Sequence, residues 1–171
     1  MKHFIIFACL LGVSVALQAD VDYPNSRGFV SKKRISISAS PEMVWRGLTK
    51  DISHWWDPAH TYTGDAANML MQTKVGGCLC EVLEKKKKPF EHLRVIVVRK
   101  NSELRLRGGL GPLREIGAAG TMNFRLVPYA DMTRLDYKYA VSGAGSKELA
   151  DAVDKVMLGQ LDRLKKYLEG N

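Results

Sequence analysis

The sequence predicts an α+β domain in which two short helices follow the first strand of an antiparallel sheet and a long helix follows the last. Three observations carry this reading. Apolar and polar residues alternate in short segments between 29 and 141, a helix start is written at Ser40-Pro41-Glu42, and an apolar stripe at helical spacing runs from 146 to 168.

The first strand spans Phe29 to Ala39, where Ile35, Ile37 and Ala39 alternate with Ser36 and Ser38 and so give one apolar face. Ser40 is a good N-cap, and Pro41 fits the first helical position because its missing N–H would be unpaired there in any case. That helix runs to about Thr49, and a second short one covers Asp51 to Trp55. Strands follow at 68–73, 78–84, 92–99, 103–107, 121–127 and 134–141. Turn signals at Gly76-Gly77, Lys88-Pro89, Asn101-Ser102, Gly108-Gly109 and Pro128-Tyr129 separate them, which makes consecutive hairpins. In the terminal helix Leu149, Val153, Val156, Met157, Leu161, Leu164 and Leu168 form the buried stripe, and Gly170 follows as its cap. Gly159 and Gln160 interrupt the stripe. They read either as a close-packing site and a stripe edge, or as a hollow with a hydrogen-bond partner in it.

A chain of 171 residues, 46% hydrophobic and 26% charged, has the composition of a globular domain. At this length it needs neither a metal nor a disulfide to hold a core. Residues 1–19 read as a secretory signal peptide, with Lys2 ahead of an apolar run from Phe4 to Leu17 and small residues at Ala16 and Ala19. Cleavage is expected after Ala19, with Ala16 the alternative, leaving 20–171 as one exported domain, periplasmic or secreted. Loss of Lys2 takes the net charge of +8 to +7, so the mature chain stays basic. Lys85, Lys86, Lys87 and Lys88 read first as a solvated hairpin tip, with weak contact to anionic surfaces as the functional alternative. No nucleic-acid motif accompanies the run. Cys78 and Cys80 share one strand face at a Cα spacing near the upper limit for a disulfide, so free buried thiols are expected. A soft-metal site with His54, His60 or His92 would need a second close-spaced ligand pair, which is absent.

Local sequence adds a resemblance. Ser-Pro-Glu-Met-Val-Trp at 40–45, His-Trp-Trp at 54–56, Gly-Gly-Cys-Leu-Cys-Glu at 76–81, Leu-Arg-Leu-Arg-Gly-Gly-Leu-Gly-Pro-Leu at 104–113 and Thr-Arg-Leu-Asp-Tyr at 133–137 carry it. Together with the element order, they resemble the START-like helix-grip superfamily, also called SRPBCC. Within it they are similar to a bacterial branch described as polyketide cyclase-like or as like the C-terminal domain of the chaperone ATPase activator. The resemblance spans 29–170 and implies a curved sheet wrapped around the C-terminal helix, with a ligand between them. Members bind lipids, sterols, hormones or polyketides, and only some catalyse. The signal peptide argues against a cytosolic chaperone role here.

Strand parity then names the lining. Leu106, Met122, Phe124, Tyr137 and Tyr139 point inward, Met157 and Gln160 face them from the helix, and Trp55, Trp56 and His60 stand near the cavity mouth. Each apolar member also reads as ordinary core. Two adjacent tryptophans are not expected to enter one core together, so one is assigned to anchoring and the other to the mouth. Catalytic templates are missing: no nucleophile elbow or triad is present, and the glycines at 108, 109, 111, 117 and 120 form a hairpin loop without the residues of a phosphate cradle. The expected function is therefore binding of an apolar or amphipathic small molecule, lipid-like or polyketide-like, by a monomer with no metal or nucleotide cofactor. The alternatives are a cyclase- or dehydrase-like enzyme using His60, Glu81 or Asp136 as cavity acid or base, and a non-catalytic partner-binding protein.

Overall fold

The alternating segments pair into one antiparallel sheet of eight strands: β1 (Asp20–Asn25), β2 (Gly28–Ile37), β3 (Met69–Met71), β4 (Cys78–Glu81), β5 (Phe90–Arg99), β6 (Glu103–Gly108), β7 (Ala119–Tyr129) and β8 (Met132–Ser142). Their order across the sheet is β1-β2-β8-β7-β6-β5-β4-β3. The structure, a computed structural model, describes residues 20–25, 27–82 and 89–170. The expected signal peptide at 1–19 and the lysines 85–88 lie outside them. β1 is one strand more than the sequence pattern suggested.

Helix α1 (Pro41–Thr49) starts as the sequence requires, with Ser40 Oγ accepting from Met43 N at 3.3 Å. α2 (Ile52–Trp55) is a single turn. The glycine-rich link between β6 and β7, expected as a plain hairpin loop, contains a further turn, α3 (Pro112–Glu115), whose Leu113 is fully buried. That loop is held tightly. A Cβ at Gly109 would lie 2.4 Å from the Ala118 carbonyl oxygen, and Tyr139 at depth donates to Gly108 O (2.8 Å) and accepts from Leu110 N (3.3 Å). Burial pushes the Tyr139 phenol up to about 12, which keeps it a neutral donor.

The terminal helix α4 (Lys147–Glu169) is capped by Ser146 Oγ, which accepts from Leu149 N at 3.2 Å, and ends on Gly170 at φ 73°. It packs on β2 and against α1 and α2, so every helix of this group covers the concave face of the curved sheet. Strand parity holds as expected: Leu104, Leu106, Met122, Phe124, Leu126, Leu135, Tyr137, Tyr139 and Val141 are buried, and Arg105 and Arg107 turn outward. Gly159 is exposed, and a Cβ there meets nothing within 4 Å, so it neither admits close packing nor opens a hollow. Gly159→Ala is accordingly expected to stabilise the protein by about 1 kcal/mol, from helix propensity alone. A urea midpoint that fails to rise would contradict that placement.

Cys78 and Cys80 are joined in a disulfide, contrary to the expected free thiols. The two Cα atoms stand 5.4 Å apart, inside the bonding range and closer than in a regular strand, beside the point where the β4–β5 register slips between Leu79 and Cys80. The bond also withdraws both sulfurs from any thiolate metal site.

Candidate functional site

Between the sheet and the two short helices lies an apolar slot. Its walls are Leu48 of α1, Ile52 and Trp55 of α2, Trp56, Met71 of β3, Leu79 of β4, and Met122 and Phe124 of β7. The slot is small, with about 10 Å³ of open space, roughly the room of one water. Both tryptophans fill it. Trp55 ends α2, while Trp56 has already switched to extended backbone (φ −60°, ψ 138°), and this change of direction brings both rings inside, 5.6 Å apart. Each indole N–H is paired, Trp55 with Gly47 O at 2.8 Å and Trp56 with His60 O at 3.1 Å.

Residues 56–68, here termed the lid, leave the slot wall at Trp56 and pack back against α2. Two short 3-10 turns, Pro58–His60 and Ala66–Asn68, shape it, each begun by an aspartate: Asp57 Oδ1 accepts from Ala59 N (3.0 Å), and Asp65 Oδ1 from Ala67 N (2.8 Å). Polar bonds from the body of the domain fasten the lid. Gln160 of α4 accepts from Asp57 N at 3.0 Å. Glu81 of β4 accepts from Tyr62 N at 2.8 Å with one oxygen and from Thr63 N at 3.0 Å with the other.

Glu81 is fully buried and meets a second polar group, His92 Nε2, at 2.5 Å. The bulge in β5 explains how: it lets His92 turn to the same side as Leu93, toward Glu81, where an unbroken strand would alternate them. Tyr62 and Phe90 cover the pair, with ring centroids 4.1 Å apart, and the Arg114 guanidinium lies 5.1 Å from the Phe90 centroid. Burial alone would raise the Glu81 carboxyl, but the bonds from Tyr62, Thr63 and His92 together outweigh it and hold the group below its ordinary value. For His92, burial lowers the imidazole, and Arg114 adds to that against the pull of Glu81, leaving it also below its ordinary value. Near neutral pH an ionised Glu81 therefore accepts from a neutral His92 carrying its proton on Nε2.

Both shifts are depressions, so both act in the same direction with pH. Each contributes fully above its unfolded-state value and loses that contribution as the pH falls through the folded value. Stability is expected to fall on acidification, beginning near the ordinary histidine value of about 6.5 and continuing below the ordinary glutamate value of about 4.3. Urea unfolding followed from pH 8 to pH 4 checks this, and His92→Gln should flatten the upper part of the curve. An unchanged slope in that variant would remove His92 as its source.

A separate polar cluster sits under α4. Ser31 of β2 donates to Asp154 Oδ1 at 2.6 Å, and the Tyr137 hydroxyl lies 3.5 Å from Ser31 Oγ. All three residues are buried, and burial drives the Tyr137 phenol far above its ordinary value. Tyr137 also touches the slot wall, its ring 5.7 Å from that of Phe124. Nε2 of Gln160, itself buried, has no partner among the described residues.

Of the residues expected to line a cavity, the structure gathers Trp55, Trp56, Met122 and Phe124 in the slot. Leu106, Tyr137, Tyr139, Met157 and Gln160 are buried elsewhere in the interior, while His60 is exposed on the lid, where its backbone N–H donates to Asp57 O and its carbonyl accepts from Trp56. The slot thus faces α1 and α2 more than α4. Asp136, weighed as a cavity acid, is on the outer face of the sheet, paired with Arg34 at 2.9 Å and Arg134 at 3.1 Å. Ser31 and Asp154 escaped the sequence reading, and His92 was weighed there only as a metal ligand, with its pairing to Glu81 unseen. A bulge leaves no mark in apolar periodicity, and a polar residue on an apolar face was the available signal for Ser31 and Asp154. Among the described residues no group of three or more His, Cys, Asp or Glu side chains is arranged to hold a metal ion.

Sheet order, parity and terminal helix define a helix-grip domain of α+β class. Solved structures share its fold. A conserved protein of unknown function from Enterococcus faecalis superposes with a TM-score of 0.60 at 18% identity, over 89% of this chain and 77% of its own. Aha1 from Colwellia psychrerythraea, solved as a dimer, gives 0.59 at 20% identity, over 82% and 96%. CalU16 from Micromonospora echinospora gives 0.56 at 14% identity, over 88% and 85%. No family model matches the chain, and no curated protein does.

Proposed function

We propose that this protein binds a small apolar or amphipathic molecule in the slot beneath the 56–68 lid, and that the lid opens to admit it. The single observation that carries this is the construction of the slot, which has wholly apolar side-chain walls and takes Trp56 from a segment tied to the body through a few polar bonds. Opening exchanges those bonds for water and withdraws Trp56, while Trp55 stays anchored on α2. Gln160, at the base of the lid, offers an unused N–H to an oxygen of the ligand. The N-terminal signal-like segment supports export, and a disulfide suits an oxidising compartment.

Catalysis is the second reading. It is favoured by Asp154 and Tyr137, an acid and a hydroxyl held close together behind Phe124. A partner-binding role has less support, because large exposed apolar side chains such as Met43, Val75, Ile116 and Tyr129 are scattered over different parts of the chain.

The test is native mass spectrometry of protein purified without denaturant, followed by titration with fatty acids and flat aromatic polyketide analogues. Binding is read as a co-purified mass and as quenching of the tryptophans. Absence of both across the panel would defeat the proposal, while turnover of an analogue would move the assignment to the enzyme reading.

A further inference from the structure

The outer face of the sheet carries neither α1 nor α4, which pack on the other side, and cations outnumber acids on it. Cross-strand register fixes which residues share it. Arg105 of β6 stands opposite Asn123 of β7, which stands opposite Lys138 of β8; Arg107 opposes Thr121, and Arg125 opposes Glu103. From β2 to β5 its acids are engaged by arginines: Glu103 by Arg99 (2.7 Å) and Arg105 (2.5 Å), Asp136 by Arg34 (2.9 Å) and Arg134 (3.1 Å), and Glu91 by Arg94; at the edge strand, Asp20 and Asp22 stand opposite Lys32 and Val30. Arg107, Arg125 and Lys138 are left over. They are exposed, make no ion pair among the described residues, and occupy adjacent central strands about 4.8 Å apart.

We infer that this face docks the protein on a bilayer rich in anionic lipid. Guanidinium groups match headgroup phosphates through paired hydrogen bonds, and an array spread over three strands meets many headgroups at once. A recess of about 360 Å³ on this face, lined by Arg99, Ser102, Glu103, Arg105, Asn123 and Arg125, has Glu103 in its wall, so it is no unbroken cationic track for a nucleic-acid strand. Tyr129 at the β7–β8 turn, 64% accessible and the most exposed aromatic ring among the described residues, suits the headgroup boundary better than a base-stacking platform. This inference is independent of the slot and survives if no ligand is found there.

Co-sedimentation of the purified chain with vesicles tests it. Binding is expected to mixed phosphatidylglycerol–phosphatidylcholine vesicles, to be absent on phosphatidylcholine alone, and to fade as salt rises past about 0.1 M. Each cation contributes about fivefold, so combining Arg107→Gln, Arg125→Gln and Lys138→Gln should weaken binding by about a hundredfold with an unchanged thermal midpoint. Lys155→Gln with Lys166→Gln on α4, and a variant with all four lysines at 85–88 changed to Gln, should each retain most of it. The inference is overturned if the wild type ignores anionic vesicles at low salt. It is overturned equally if the α4 or 85–88 variants lose as much as the triple variant, or if duplex DNA competes the protein off the vesicles.

Discussion

Glu81→Ala is expected to cost about 3–5 kcal/mol, the range for removing one partner of a buried charged pair. The carboxylate is fully buried and receives the amides of Tyr62 and Thr63 as well as His92 Nε2. Alanine leaves these donors facing a void that is poorly placed to hydrate them, and donors to charged acceptors are the costly ones to strand. The loss is a large share of the 5–15 kcal/mol that ordinarily holds a domain together. Glu81→Gln should cost less, because one oxygen still accepts while its amide nitrogen confronts a donor. The local consequence distinguishes a latch from a merely structural residue. Hydrogen exchange at the Tyr62 and Thr63 amides and along 56–68 should accelerate far more than exchange in β7 and β8. If Glu81→Ala costs under about 1 kcal/mol and the lid amides stay protected, the lid is held by something other than Glu81.

The elements were legible wherever one local rule dominates. Ser40, Pro41 and Gly170 mark helix ends through hydrogen bonds that neighbours in sequence must satisfy, and strand parity in β6, β7 and β8 follows from a sheet with one buried face. The site was harder to see because its geometry comes from departures from those rules. A bulge turns His92 inward, a disulfide joins Cys78 to Cys80 beside it, and a backbone switch at Trp56 seats two adjacent rings together. None of these changes the period of apolar residues, so the pattern that locates the strands is silent on them. Glu81 was visible as a candidate acid, but its duty toward the lid depends on a segment whose path is set by tertiary contacts.

Phe124→Ala is expected to destabilise by about 3–5 kcal/mol and to enlarge the slot by most of a ring. Phe124 is 5% exposed and bounds the slot beside Met122, so truncation there adds its void to the existing space of about 10 Å³. Because the walls contributed by Leu48, Ile52, Met71 and Leu79 are apolar, water gains little by entering, and the new space should stay dry and accept an apolar probe. Benzene should then raise the variant's thermal midpoint, saturating as binding to the folded state alone requires, and leave the wild type nearly unaffected. Collapse of Trp55 or Trp56 into the space would instead give a smaller loss of stability with no response to benzene. That result would mean the tryptophans can move independently of the lid, and a ligand would then gain access by displacing them, with the bonds at Glu81 and Gln160 left intact.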